Sequence, residues 1–282
     1  MMSCLRQVAL LAASVFCLGA PAAHATWSIV AVDPQTGEVG LAAASCSIGV
    51  PHIAALVPGK GAIVSQAATS FTGRDKARDL VMQGVDAPGV LAVLEDPALY
   101  AGWLTIDFPY LQYGVATLAA GEDSPVATGF VTGDSTPDWS GGVASDTYAA
   151  QGNTLRSAAV IDATARAFDL ATHDKSCPVP LAQRLLLALE AGRDAGGDVR
   201  CPVEAPALAA ILMVARPGDD PDAPTINEIA PQTFSVVREA VHLVVPYYPD
   251  PDKPEPVTEL RARYDAMTQG DAMTPEDMCA VP

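Results

Sequence analysis

The chain has 282 residues, 50% of them hydrophobic, with 16 Lys and Arg against 33 Asp and Glu and a formal net charge of −17. That balance repels polyanions and so excludes nucleic acid and anionic membrane faces as partners. Past residue 25 no apolar run approaches the roughly 20 residues needed to span a bilayer, and the length suits one large domain.

Residues 1–25 read as a secretory leader. Arg6 supplies the leading charge, an apolar run continues through Phe16 and Leu18, and Ala23-His24-Ala25 ends in small residues at the cleavage position. Cleavage after Ala25 would leave residues 26–282 as a single domain in the periplasm or outside the cell, with a free α-amine on Thr26. A threonine at a chain start carries a nucleophile and a base in one residue, because an α-amine titrates at about 7.7 to 8.0. Signal peptidases cut before many small polar residues, so the cleavage position alone does not give Thr26 a function.

Residues 27–32 and 39–45 are apolar and β-branched, and Asp33-Pro34-Gln35-Thr36-Gly37-Glu38 between them is a turn. The result is a hairpin apolar on nearly every residue, which requires cover on both faces. A third strand is expected at 61–67, helices at 72–83 and 87–94, and strands at 112–118, 126–132 and 147–151. Two longer helices follow, 155–172 with the stripe Ile161, Ala165, Phe168, and 180–195 with Leu181, Leu185, Leu189. Strands at 208–214 and 234–245 and a closing helix near 257–267 complete the chain. Blocks of strands and helices, without βα alternation, predict an α+β fold of stacked sheets with helices outside. The acidic, Pro-rich segments 218–222 and 248–256 lack the spacing of a calcium loop and read as solvated loops.

Cys4 and Cys17 would leave with the leader, and the bulky Phe16 argues against lipid attachment at Cys17. Cys46, Cys177, Cys201 and Cys279 remain, allowing two disulfides in three connectivities. Cys177 and Cys201 bracket a predicted helix and are the expected pair, leaving Cys46 with Cys279 by elimination. No CxxC or HxxxH spacing supports a metal, and no cofactor motif is present.

The run Thr26-Trp27-Ser28-Ile29-Val30-Ala31-Val32-Asp33-Pro34, followed by Thr36-Gly37-Glu38 and Gly40, resembles the opening of the domain-of-unknown-function 1028 family (DUF1028). The resemblance continues through Gly61-Ala62 and Ser65-Gln66-Ala67, Gln151-Gly152-Asn153, Leu181 to Gly192, Gly196-Gly197-Asp198 with Arg200, Pro249-Asp250-Pro251 and Glu259-Leu260-Arg261. Such a family falls within the N-terminal-nucleophile (Ntn) hydrolases, relatives of proteasome β subunits. The resemblance implies a four-layer αββα sandwich with Thr26 at the start of a central strand. It further implies that the Thr26 hydroxyl attacks a carbonyl, its amine takes the proton, and Gln151, Gly152 and Asn153 supply oxyanion or substrate contacts.

Ser28, Ser45, Lys60, Asp198 and Arg200 are weaker supporting candidates. Plainer roles are open to several candidates: Ser28 as a strand residue, Asn153 as a helix cap, Asp198 and Arg200 as a pair fixing a loop, Lys60 in an exposed turn. Proteasome-like members carry an acidic residue at the end of the second strand, where this chain has Ala44-Ser45-Cys46. The expected activity is hydrolysis of an amide or peptide-like bond in a small-molecule or peptide-like substrate. The alternative is a non-catalytic periplasmic binding or surface-associated protein, and a Cys46–His52 dyad is a third reading.

Overall fold

The computed structural model describes residues 26–102, 106–118, 126–173, 179–220, 222–231 and 254–268. They form ten strands and five α-helices in a mixed α+β arrangement of two antiparallel sheets. The strands are β1 (Thr26–Val32), β2 (Val39–Ser45), β3 (Ala54–Val57), β4 (Gly61–Ala67), β5 (Leu111–Thr117), β6 (Ala127–Thr132), β7 (Gly141–Ala144), β8 (Tyr148–Asn153), β9 (Ala209–Ala215) and β10 (Ile226–Pro231). The helices are α1 (Phe71–Met82), α2 (Ala87–Leu94), α3 (Ala159–His173), α4 (Leu181–Asp194) and α5 (Pro256–Thr268).

The larger sheet runs β10-β9-β2-β1-β8-β7 and the smaller β3-β4-β5-β6. Alternation along β1 explains how they stack. Trp27, Ile29 and Ala31 face one apolar cluster with α3, α4 and α5, whereas Val30 and Val32 face a second shared with Ala62 and Val64 of β4. A third cluster joins Ile63 of β4 and Tyr113 and Val115 of β5 to Ala77 and Val81 of α1 and Val90 and Leu94 of α2. Both faces of the predicted hairpin are thus covered, as its unbroken apolarity required. Its turn is tied down by Asp33, whose carboxylate accepts the Gln35 and Thr36 N–H groups and pairs with the buried Arg184 of α4.

Several elements differ from the sequence reading. The strands β3 and β7, at 4 residues each, are too short to show a period in the sequence. Helix α3 starts at Ala159, not at 155, because residues 154–156 are committed elsewhere: Thr154 N–H bonds Pro137 O, Leu155 N–H bonds Trp139 O, and Arg156 N–H bonds Gly197 O. The strand expected at 234–245 lies outside the described residues, and β10 is formed upstream of it.

The disulfide pairing is corrected. Cys201 bonds to Cys46, with an S–S distance of 2.03 Å and a Cα–Cα distance of 5.7 Å. Bracketing a helix was the wrong signal, since the 14-residue α4 is a rod of about 21 Å that holds its flanks apart. Cys46 is therefore not available to Cys279; Cys177 and Cys279 lie outside the described residues. Among the described residues no helix is long and apolar enough to cross a membrane.

Candidate active site

Thr26 opens β1 between β2 and β8, in the interior of the larger sheet. Register sets its neighbours: Thr26 lies opposite Asn153, Trp27 opposite Gly152, and Ser28 opposite Gln151. On the other side Trp27 pairs with Ala44, which brings Ser45 alongside Thr26. Trp27 is anchored among the helices, its indole N–H donating to Leu189 O at 3.2 Å. Period two then turns Thr26 and Ser28 toward the smaller sheet.

The inter-sheet layer is apolar around Val30, Val32, Leu41 and Val64 but becomes polar toward Thr26. Gln66 of β4 and Gln112 of β5 are cross-strand partners, and they face Ser28, Gln151 and Asn153; all five are fully buried. Gln151 Nε2 donates to Ser28 Oγ at 2.6 Å, and that hydroxyl donates to Gln66 Oε1 at 2.6 Å. Gln66 Nε2 donates to Gln112 Oε1 at 2.7 Å and also approaches Thr26 O at 3.5 Å. Gln112 Oε1 accepts a second bond from Asn153 Nδ2 at 3.2 Å. Gln112 Nε2 completes the chain toward Thr132 Oγ1 at 2.8 Å and Gly152 O at 2.9 Å. Buried amides of this kind are tolerated only when paired, and here the two sheets are stitched by that pairing. Gln151 Oε1 is the exception, a buried acceptor without a hydrogen-bond partner.

The rim around Thr26 departs from ordinary backbone geometry. Ala67 and Thr69, just past Gln66, and Thr154, just past Asn153, have φ of 66°, 54° and 53°. Left-handed threonine is a genuine outlier, and such residues concentrate where function holds a backbone in place. Ser65 and Ser70 close the β4 rim reciprocally, Ser65 Oγ donating to Ser70 O at 3.1 Å and accepting Ser70 N–H at 3.0 Å. Ser70 Oγ also caps α1 at Gly73 N–H. Beneath them, burial pushes the Tyr113 phenol up from its ordinary value, so it stays neutral.

A family model described as "Family of unknown function (DUF1028)" matches residues 26–251. The chain belongs to this family. The DUF1028 match begins at Thr26 and includes Ser28, Gln66, Gln112, Gln151 and Asn153. The crystal structure of a DUF1028 protein from Silicibacter pomeroyi is similar in fold, with a TM-score of 0.61 and 24% identity over 88% of this chain and 91% of that one. No curated protein matches.

In this DUF1028 chain, six of the residues singled out from sequence gather at the head of β1: Thr26, Ser28, Ser45, Gln151, Gly152 and Asn153. Asn153 ends a strand and bonds Gln112, so the helix-cap role is ruled out. Packing favours Gly152, since a Cβ there would lie 2.4 Å from Leu155 Cδ1 and 3.0 Å from Thr26 O. Asp198 and Arg200 sit beside the same end but in a loop-fixing arrangement. The fully buried Asp198 accepts Cys46 N–H at 2.7 Å, Arg200 N–H at 2.9 Å and a two-pronged bond from the Arg200 guanidinium, while Val199 N–H bonds Thr154 O.

Lys60 is a correction. It precedes β4 at the end opposite Gln66, about 20 Å away along the strand, and its ammonium caps Met82 O at the end of α1. The Cys46–His52 dyad is also excluded, because Cys46 is disulfide-bonded and His52 packs edge-on to Phe71. Gln66 entered the sequence reading only within the Ser65-Gln66-Ala67 match and Gln112 not at all; their signal is a glutamine interrupting a largely apolar strand.

Proposed function

We propose that this DUF1028 chain is an exported amide hydrolase of the Ntn type, with the αββα sandwich of that class and Thr26 as nucleophile and base. One observation carries the reading: Thr26 is the first residue of an interior strand, flanked by polar and left-handed residues where the layer between the sheets turns from apolar to polar. The family match begins at the same residue. The Cys46–Cys201 disulfide accords with an oxidising compartment, periplasmic or extracellular.

In the proposed reaction the Thr26 α-amine accepts the hydroxyl proton as Oγ attacks the carbonyl carbon of an amide or peptide-like bond. Asn153, directly opposite Thr26, offers its second Nδ2–H to the oxyanion or to substrate. Collapse of the tetrahedral intermediate expels the amine with that proton, and water then hydrolyses the threonyl ester. No cofactor enters this sequence.

The competing reading is a non-catalytic binding protein that keeps the fold. It is favoured by Asp198, whose carboxylate is committed to Arg200 and to loop N–H groups. An amine-directed and hydroxyl-directed electrophile separates the two. Hydrolysis predicts a covalent adduct on Thr26 that Thr26→Ser retains and Thr26→Ala loses; equal labelling of wild type and Thr26→Ala favours binding.

A further inference from the structure

Five fully buried polar side chains stand in a layer that apolar residues would fill at lower cost, and they stand only at its Thr26 end. Gln112 is their hub. It accepts from Gln66 and Asn153 and donates to Thr132 Oγ1, Gly152 O and, at 3.3 Å, Gly141 O. Those partners lie on β4, β6, β7 and β8, so one amide fixes the spacing between the sheets and the orientation of Asn153 together. Its own orientation is not free: reversing the amide would set Nε2 against the Gln66 and Asn153 donors and Oε1 against two backbone carbonyls.

We propose that Gln112 is a positioning residue of the Thr26 site, holding the Asn153 amide beside Thr26. The assignment rests on the reading of Thr26 as nucleophile. Gln112 touches neither substrate nor the reacting atoms; it acts through Asn153. A shift of Asn153 by about 1 Å is enough to cost one to two orders of magnitude in rate.

The test uses the exported, processed protein and the rate constant for electrophile capture at Thr26, measured across pH. Gln112→Met keeps the length and removes the polar atoms, and Val64→Ala, an apolar change in the same layer, controls for lost stability. Capture should fall at least about tenfold in Gln112→Met and stay at the wild-type rate in Val64→Ala. In an Asn153→Ala background, Gln112→Met should cause no further loss, a non-additivity that general weakening of the fold does not produce.

If Gln112→Met does not fold, Gln112→Glu takes its place. Its carboxyl is shape-matched while neutral and clashes with two carbonyls once ionised, so its capture rate should decline at high pH where the wild-type rate rises. Wild-type capture with an unchanged rate in Gln112→Met, losses that add with Asn153→Ala, or a Gln112→Glu profile parallel to wild type would overturn the proposal alone. Absence of capture in the wild type would overturn the nucleophile reading and this one with it.

Discussion

At the scale of single residues, the polar layer is held by tight packing as well as by hydrogen bonds. A Cβ on Gly114 would lie 2.2 Å from Gln151 Oε1, and the Gln151 side chain is fully buried and tied to Ser28. Gly114→Ala should therefore break the Gln151–Ser28 bond and destabilise the protein by about 1–3 kcal/mol. Thermal unfolding measures this, and an unchanged midpoint would mean that Gln151 swings away freely. Glu255, at the start of α5, makes a pH-dependent prediction. Burial, opposed by the Val257 and Thr258 N–H groups and by Arg193, raises its pKa above the ordinary 4.5. A raised carboxyl favours folding below the unfolded pKa, and that contribution disappears as pH rises through the folded value. Glu255→Gln should thus raise the unfolding midpoint at pH 7 and give no comparable gain at pH 4. Thr26 stands out in the sequence as a candidate because motif and chain position coincide, whereas Gln66 and Gln112 are 46 residues apart and meet only when β4 pairs with β5.

At the scale of elements, the hairpin β1–β2, helices α1, α2 and α4, strands β4, β5 and β9 and the closing helix follow their hydrophobic periods closely. Departures occur where a segment obeys a distant partner. The expected helix start at 155 is lost because Leu155 and Arg156 are drawn into bonds with Trp139 and Gly197, and Cys201 follows its loop to β2 instead of remaining near the far end of α4. That loop is held at two adjacent residues, by Asp198 on Cys46 N–H and by Val199 N–H on Thr154 O, with Arg156 Nη2 donating to Cys201 O. The disulfide makes the arrangement covalent across a sequence separation of 155. Replacing both cysteines by serine should cost about 2–5 kcal/mol, measured by denaturant unfolding under oxidising conditions. A non-reduced peptide map should contain the Cys46–Cys201 cross-link, and recovery of Cys201 joined to Cys177 would contradict the loop's placement.

At the scale of the whole molecule, strand pairing converts scattered polar residues into one end of a buried layer, and that end coincides with the start of the DUF1028 match. The α+β class was readable from the blocks of strands and helices. The pairing order β10-β9-β2-β1-β8-β7 was not, because apolar strands of similar composition carry no label for their neighbours. In the proposed function, processing exposes Thr26 at the head of this layer as a nucleophile. The most direct test is mass-spectrometric mapping of the electrophile adduct on the exported protein. The predicted result is an N-terminal peptide beginning at Thr26 and carrying the adduct on that residue. A mature chain beginning elsewhere, or a chain beginning at Thr26 that takes no adduct there, would contradict it.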